Sequence, residues 1–227
     1  MKKLLAILLA AMMLLSFVAC GETNETESNI NNENNENNEN NEKNENNTLG
    51  EDETPVVELA YQSALELLQL VMNGYNASAT EDTMLYVVGG NINNFETTSM
   101  DGPATFVALE DEDYNANLGY PAADVAKLDD AASMFNMMNT NVFNCYAVHF
   151  TNGDDVDAMV EVIKNNILAR QWICGSPEKL VIAKVPGDYL IVVWGAVQFG
   201  GIVDPFVASF ATSVEGSSIV VEHTFEG

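Results

Sequence analysis

The 227-residue sequence predicts an α+β fold: a ferredoxin-like β-α-β-β-α-β core over about residues 144–226 with additional N-terminal helices. Three observations carry this. Between Asn144 and Glu226, short β-branched and aromatic runs alternate with stretches of helical periodicity. Their order is that of the split βαβ motif. Tyr189 to Trp194 is apolar at every position, which implies cover on both faces of that strand.

The elements follow in chain order. Val56 to Met72 puts Val57, Ala60, Tyr61, Ala64, Leu67, Leu68 and Val71 on one helical face, and Asn73-Gly74 ends it. Met84–Val88 and Ala104–Leu109 read as strands joined by a polar loop. Pro121 to Met138 reads as a second helix, with Val125, Leu128, Ala132, Phe135 and Met138 at helical spacing and Pro121 in its first turn. Cys145 to Phe150 is strand-like, and Asn152-Gly153 turns the chain. Asp154 and Asp155 open a helix to about Trp172 whose buried face is Val156, Met159, Val160, Ile163 and Ile167. Lys179–Val185 and Asp188–Trp194 form a hairpin around Pro186-Gly187. Asp204-Pro205 looks like an N-cap followed by Pro at N1, with Ile202, Phe206 and Phe210 as the stripe of a short helix. Ser217 to Phe225 is a last strand. The helices at 56–72 and 121–138, or else a partner, are expected to cover part of the sheet face that ferredoxin-like helices leave bare.

The amino terminus carries an address. Lys2 and Lys3 precede an apolar run, Leu4 to Leu15, closed by Ser16-Phe17-Val18-Ala19-Cys20. This is the anatomy of a secretory signal peptide over residues 1–19. A spanning helix would need about 20 apolar residues. Phe17-Val18-Ala19-Cys20 resembles the lipobox of bacterial lipoproteins, with Phe17 in place of the preferred Leu. The resemblance implies that Cys20 takes a diacylglyceryl thioether and becomes the first mature residue. An ordinary signal peptide with an incidental Cys is the plainer alternative, and the tether that follows favours the lipoprotein. Two acyl chains suffice for stable anchoring, so membrane contact through lipid at Cys20 is expected, on the outer face of the cytoplasmic membrane.

Residues 20–54 form that tether. They are almost all Asn, Glu and Thr, with Asn-Asn-Glu recurring between Asn31 and Glu42. Nothing apolar offsets the entropy of ordering such a segment. A flexible coil of this length spans on the order of 30 Å, more with charge repulsion. Residues 55–227 then form a single globular domain.

Charge narrows the function classes. The chain carries −26 overall, and the stretch 55–227 has 23 acidic against five basic residues, or −18. Nucleic acid is not an expected partner, because phosphate contacts need a basic patch. Adhesion to anionic lipid by charge is disfavoured too. After Cys20 only Cys145 and Cys174 remain. In an exported protein they can pair, and βαβ topology would bring both to one end of the layer, although strand alternation could instead aim Cys145 into the core. Without a CxxC or a His/Cys cluster, zinc has little support.

Met134-Phe135-Asn136-Met137-Met138-Asn139, Tyr146-Ala147-Val148-His149-Phe150, Ile163-Lys164 to Arg170, and Pro186-Gly187-Asp188-Tyr189 carry a family echo. With Leu118-Gly119-Tyr120, this half of the chain resembles an uncharacterised domain family of lipoproteins from Gram-positive gut bacteria. Asn165-Asn166 departs from that family's more charged helix. The resemblance implies a surface lipoprotein and carries no functional residues with it.

Candidate chemistry is sparse. Asp111-Glu112-Asp113-Tyr114-Asn115-Ala116-Asn117 alternates oxygen ligands as a calcium loop does, but Ala116 and Ala122 stand where Gly and Glu belong, so a solvated acidic loop is the better reading. Asp154, Asp155 and Asp157 suit a helix start. His149 and His223 lie on expected strands with no nucleophile pattern beside them. GxSxG, HExxH, Walker and dinucleotide fingerprints are missing, and no cofactor is called for. Gly89-Gly90 and Gly200-Gly201 read as turns. Met134, Met137 and Met138 with Phe135 and Phe143 form either core or a soft binding surface. The expected function is non-catalytic binding of an unidentified protein or glycan ligand at the cell surface. An envelope hydrolase acting on peptide or glycan is the alternative, since catalytic triads assemble from distant residues.

Overall fold

Ser63 decides where the first helix begins. Its Oγ accepts the Glu66 N–H at 3.1 Å, and Glu66 Oε2 accepts the Gln62 N–H at 2.7 Å, in the manner of a capping box. Helix α1 is therefore Ala64–Ser78, which begins later and ends later than the periodicity alone suggests. The computed structural model describes residues 59–81, 83–173, 175–197 and 201–226. The expected signal peptide, Cys20, the expected tether and Cys174 lie outside the described residues. Gly74 does not stop α1. A Cβ there would lie 2.1 Å from Ser213 Oγ, on helix α3 (Val203–Ser213), so glycine permits the two helices to cross closely.

Seven antiparallel strands follow: β1 (Val88–Gly89), β2 (Ala104–Thr105), β3 (Leu128–Phe135), β4 (Phe143–Phe150), β5 (Lys179–Val185), β6 (Tyr189–Gly195) and β7 (Ser218–Thr224). Helix α2 (Asp154–Leu168) joins β4 to β5. The sheet order is β1-β3-β4-β6-β5-β7, with β2 also on the outer edge of β3.

Two expectations are corrected. The stretch 121–138 is not one helix: only Ala122–Lys127 is helical, as a short 3₁₀ segment, and Leu128–Phe135 is a strand. Its small residues Ala131, Ala132 and Ser133 pair with Val148, Ala147 and Tyr146 of β4. Ala132 and Met134 enter one core while Ala131 enters the other. A strand buries both sets, and that packing outweighs helix propensity.

The second correction concerns topology. β4, α2, β5 and β6 do form a split βαβ unit in the order β4-β6-β5. In a ferredoxin-like sheet β7 would lie beside β4; here β3 holds that edge, and β7 pairs with β5. The ferredoxin-like core does not form as expected. The two helices of the motif also lie on opposite faces: α2 packs on one core and α3 on the other.

That split answers the demand made by β6, which is buried at every position. On one face Tyr189, Ile191 and Val193 meet α1 and α3; on the other Leu190, Val192 and Trp194 meet α2. Val156, Met159, Val160, Ile163 and Ile167 anchor α2, all buried as its periodicity requires. Each contributes about 1.5–3 kcal/mol by burial. Helix α3 starts at Val203, so Pro205 sits at its third position instead of the first. Asp204 is an ion-pair partner of Lys179 at 2.7 Å in place of a cap. Among the described residues no helix is long and apolar enough to cross a membrane.

Candidate functional site

The acidic loop is not solvated throughout. Asp113 is buried at 4% exposure and holds the loops around it. Asn93 Nδ2 donates to its Oδ1 at 2.6 Å; Asn91 Nδ2 and the Leu109 N–H donate to Oδ2, each at 2.8 Å. Burial pushes this carboxyl up, but the hydrogen bonds from Asn93, Leu109 and Asn91 together outweigh burial and hold it below the ordinary carboxylate value. Asp111 and Glu112 are exposed, and among the described residues no group of three or more His, Cys, Asp or Glu is placed to hold a metal ion. Asp154, Asp155 and Asp157 fill the first turn of α2. Asn152 Oδ1 accepts the Asp154 N–H at 3.2 Å, so the capping contact belongs to Asn152. Asp155 and Asp157 pair with Lys127 and Lys184.

Cys145 is a free, fully buried thiol. Alternation along β4 places it in the α1–α3 core, on the face opposite α2, the helix that precedes Cys174. Burial pushes the thiol well above its ordinary pKa. The methionine stripe is divided: Met134, Phe135 and Phe143 are core, whereas Met137 and Met138 are exposed in the β3–β4 turn.

The histidines are not brought together, since β6 and β5 separate β4 from β7. His223 meets Phe225 edge-on at 5.3 Å. His149 lies 2.5 Å from Asp129, Nδ1 to Oδ1, and tilts against Tyr189 at 4.5 Å between ring centres. A carboxylate only accepts, so Nδ1 carries the proton of this contact, and Nε2 is an acceptor whenever the ring is neutral. The pair sits in an open cleft of about 560 Å³ with Tyr61, Asp130 and Asp188. Burial, with Tyr189 alongside, pushes the Tyr61 phenol up to about 12, and its hydroxyl donates to the Pro186 carbonyl at 2.9 Å. Among the described residues lining this cleft there is no Ser, Thr or Cys to act as nucleophile.

A second site lies at the other end of β4 and β6, where sequence reasoning placed nothing. Arg170, just past α2, is the single arginine of the chain. Its Nη1 and Nη2 donate to the Asn115 and Ala116 carbonyls at 3.2 and 2.9 Å. Those carbonyls belong to a π-helical turn, Tyr114–Leu118, which Asn166 also grips through Asn115 and Gly119. The guanidinium carbon sits 5.1 Å from the Trp172 ring centre and 5.6 Å from that of Trp194, within cation–π range of both. Partial burial lowers the guanidinium pKa from its ordinary value, with Tyr146 opposing.

Two cavities meet there. The inner one, about 230 Å³, is lined by Ser133, Asn144, Arg170 and Trp194 among others. The outer groove, about 630 Å³, shares Ile92, Thr140 and Arg170 with it and adds Met137, Met138 and Ile173. Among the described residues, four buried side-chain polar atoms have no hydrogen-bond partner: Asn144 Oδ1, Tyr146 OH, Trp172 Nε1 and Trp194 Nε1. All four belong to this cluster. Asn144 pairs with Trp194 across the ladder, and the Tyr146 and Trp172 rings lie 6.1 and 6.0 Å from that of Trp194. Leaving such a group unpaired costs about 1–3 kcal/mol. Asn144 and Trp194 line the inner cavity and Trp172 the outer groove, while Tyr146 packs behind them, so three of the four residues face space that polar atoms can enter. The lone arginine two residues before Trp172 was visible in the sequence; its approach to Trp194 and the unpaired atoms were not, because they depend on the fold and on the pairing of β4 with β6. No family model, curated protein or solved structure matches the chain.

Proposed function

We propose that this chain is a cell-surface lipoprotein, held by lipid on Cys20 to the outer face of the cytoplasmic membrane, whose acidic domain is a non-catalytic binding module. The observation that carries binding is Arg170: it lies beside two indoles, at adjoining cavities lined by three of the four described residues with an unpaired buried polar atom. Convergent polar groups in a concave site are a usual feature of a ligand pocket, and Asn117, Ser133, Thr140, Asn144 and Arg170 converge here. The Asn/Glu-rich composition of residues 21–54 supports presentation of the domain away from the bilayer. Two measurements test the reading. Cells fed a clickable fatty acid should label the native chain in the membrane fraction, and Cys20→Ala should lose both label and retention; label persisting on that variant removes the anchor. The small-molecule fraction of envelope extract should raise the melting temperature of the native protein and not that of Arg170→Gln; equal shifts in both remove the pocket.

The alternative of an envelope hydrolase draws on one observation, the His149–Asp129 contact in an open cleft. A dyad of this kind could activate water, with Nε2 as general base. Hydrolysis of envelope peptide or glycan by the native protein, lost in both His149→Gln and Asp129→Asn, would favour it over binding.

A further inference from the structure

We propose that the Arg170 pocket takes the free carboxy terminus of a peptide, with the terminal carboxylate on the guanidinium and the preceding apolar side chains along Met137, Met138 and Ile173. This rests on the binding reading above and names its ligand.

The first ground is charge. Among the described residues every lysine has a carboxylate within ion-pair distance: Lys127 with Asp124 and Asp155, Lys164 with Glu161, Lys179 with Asp204 and Glu222, Lys184 with Asp157. Arg170 alone pairs with none of them. In a domain with 23 acids against five bases, an unpaired arginine is the exception. Arginine is also the residue whose planar fork matches a carboxylate bidentately. Two of its five donors go to carbonyls, which leaves the fork able to serve a ligand.

The second ground is the set of unpaired atoms. Of their owners, Asn144 and Trp194 line the inner cavity and Trp172 the outer groove; the two indole N–H groups can donate, while Asn144 Oδ1 can only accept. A fitting ligand therefore carries an anionic pair of acceptors with a donor next to it. A peptide's last residue has this form: a carboxylate, and an amide N–H one carbon away. A fatty acid lacks the donor. A sugar acid has both, but beside Asn139, Thr140, Asn141 and Gln171 the outer groove exposes a run of apolar side chains, with Met137 59% exposed, Met138 87% and Ile173 80%. Flexible thioethers and a branched aliphatic suit varied apolar side chains. The inner cavity is smaller than a drug-sized ligand needs, and the outer groove falls within that range. One terminal residue inside and a short segment outside match these volumes.

Trp172 and Trp194 are the only tryptophans, so intrinsic fluorescence reports on the pocket alone. The test titrates the full mature chain, in detergent micelles, with an N-acetylated tripeptide ending in Leu, as the free acid and as the carboxy-terminal amide. The acid should change the fluorescence saturably, and the amide should bind about tenfold or more weakly. Arg170→Gln should abolish that discrimination. Since Arg170 also holds the π-helical turn, a second variant guards the test: Met138→Ser, at an exposed position, should weaken the tripeptide several-fold and leave acetyl-leucine unchanged. Raising sodium chloride from about 10 to 150 mM should tighten the acid, because the repulsive field of the acidic domain acts at longer range than the pocket contact, and should not move the amide. Equal binding of acid and amide, or a Met138→Ser variant that treats both acids as the native chain does, overturns the peptide assignment. If octanoate or a glucuronate-ended disaccharide gives an Arg170-dependent signal and the peptide acid gives none, the ligand class is wrong and the binding reading stands. If no probe moves the fluorescence at millimolar concentration, both fall.

Discussion

Asp113 and Cys145 show how differently two buried groups can be used. Asp113 is ionised and fully engaged, and its donors fix the stretch 91–109 against the π-helical turn. Asp113→Asn would place an amide N–H₂ against at least one of those donors, so a loss of about 1–3 kcal/mol is expected in urea unfolding at pH 7. The pH dependence has a definite sign. The folded-state pKa lies below the ordinary value, so the group's contribution is complete above about pH 4 and is lost as pH falls through the folded value. Native protein should weaken through that window more steeply than Asp113→Asn; parallel curves would remove Asp113 as the cause. Cys145 has no such role. Its buried thiol, pushed well above the usual range, should resist a thiol reagent in the native state. On denaturation without reductant, a chain acylated on Cys20 as proposed should release two thiols, those of Cys145 and Cys174, since Cys145 is free. A count of zero with intact monomer mass would establish the bridge instead.

At the scale of elements, the π-helical turn is the part that ties the pocket to the fold. It ends at Gly119, whose φ of 65° is in the left-handed region. A Cβ there would lie 2.7 Å from Ile167 Cγ1 and 3.2 Å from Arg170 Nη1. Gly119→Ala should therefore cost at least the 1–2 kcal/mol of left-handed strain, about as much again if Ile167 cannot yield, and should shift the tryptophan emission by displacing Arg170. A variant with native stability and native emission would show that the turn does not set the pocket. The legibility of these elements in the sequence varies for physical reasons. The start and buried face of helix α2 were readable, because one face is buried and the other wet, so its five anchors keep helical spacing; its end at Leu168 falls short of the Trp172 expected, because past Ile167 no further anchor continues that face. The stretch 121–138 was misread because Leu128, Ala132 and Phe135 satisfy a helical period by coincidence, and only the edge of β4 makes them a strand. The Ser63–Glu66 box was present and would have placed the start of α1. The pocket was least legible, because its parts come from 90–92, 114–118, 133–144, 170–173 and 194, and no local pattern connects them.

The whole molecule is governed by its charge. Residues 55–227 carry −18, and the ion pairs leave most of the acids uncompensated, because only five basic residues exist to meet 23 acidic ones. Compacting that charge raises self-repulsion in the folded state more than in the expanded chain, so the fold is stabilised by whatever screens the field. Two large cores on either side of β6 supply the apolar burial that holds against it. The consequence is a stability that rises with salt over the range where the screening length shrinks from about 30 Å at 0.01 M to about 8 Å at 0.15 M. Isolated surface ion pairs act in the opposite direction, since salt weakens them, but each is worth no more than about 1 kcal/mol. Unlike pairs that lose a little, repulsion summed over many acids gains at every site, so the net sign should be positive. A gain of about 1 kcal/mol corresponds to roughly 2–4 °C for a domain of this size. Melting temperatures followed by circular dichroism at neutral pH should therefore rise by at least about 2 °C between 10 and 150 mM sodium chloride, with the same rise in potassium chloride, since screening depends on ionic strength and not on the identity of the cation. A fall over that interval would show that the ion pairs of Lys127, Lys179 and Lys184 outweigh the acidic field. A rise confined to one cation would point to specific binding instead of screening.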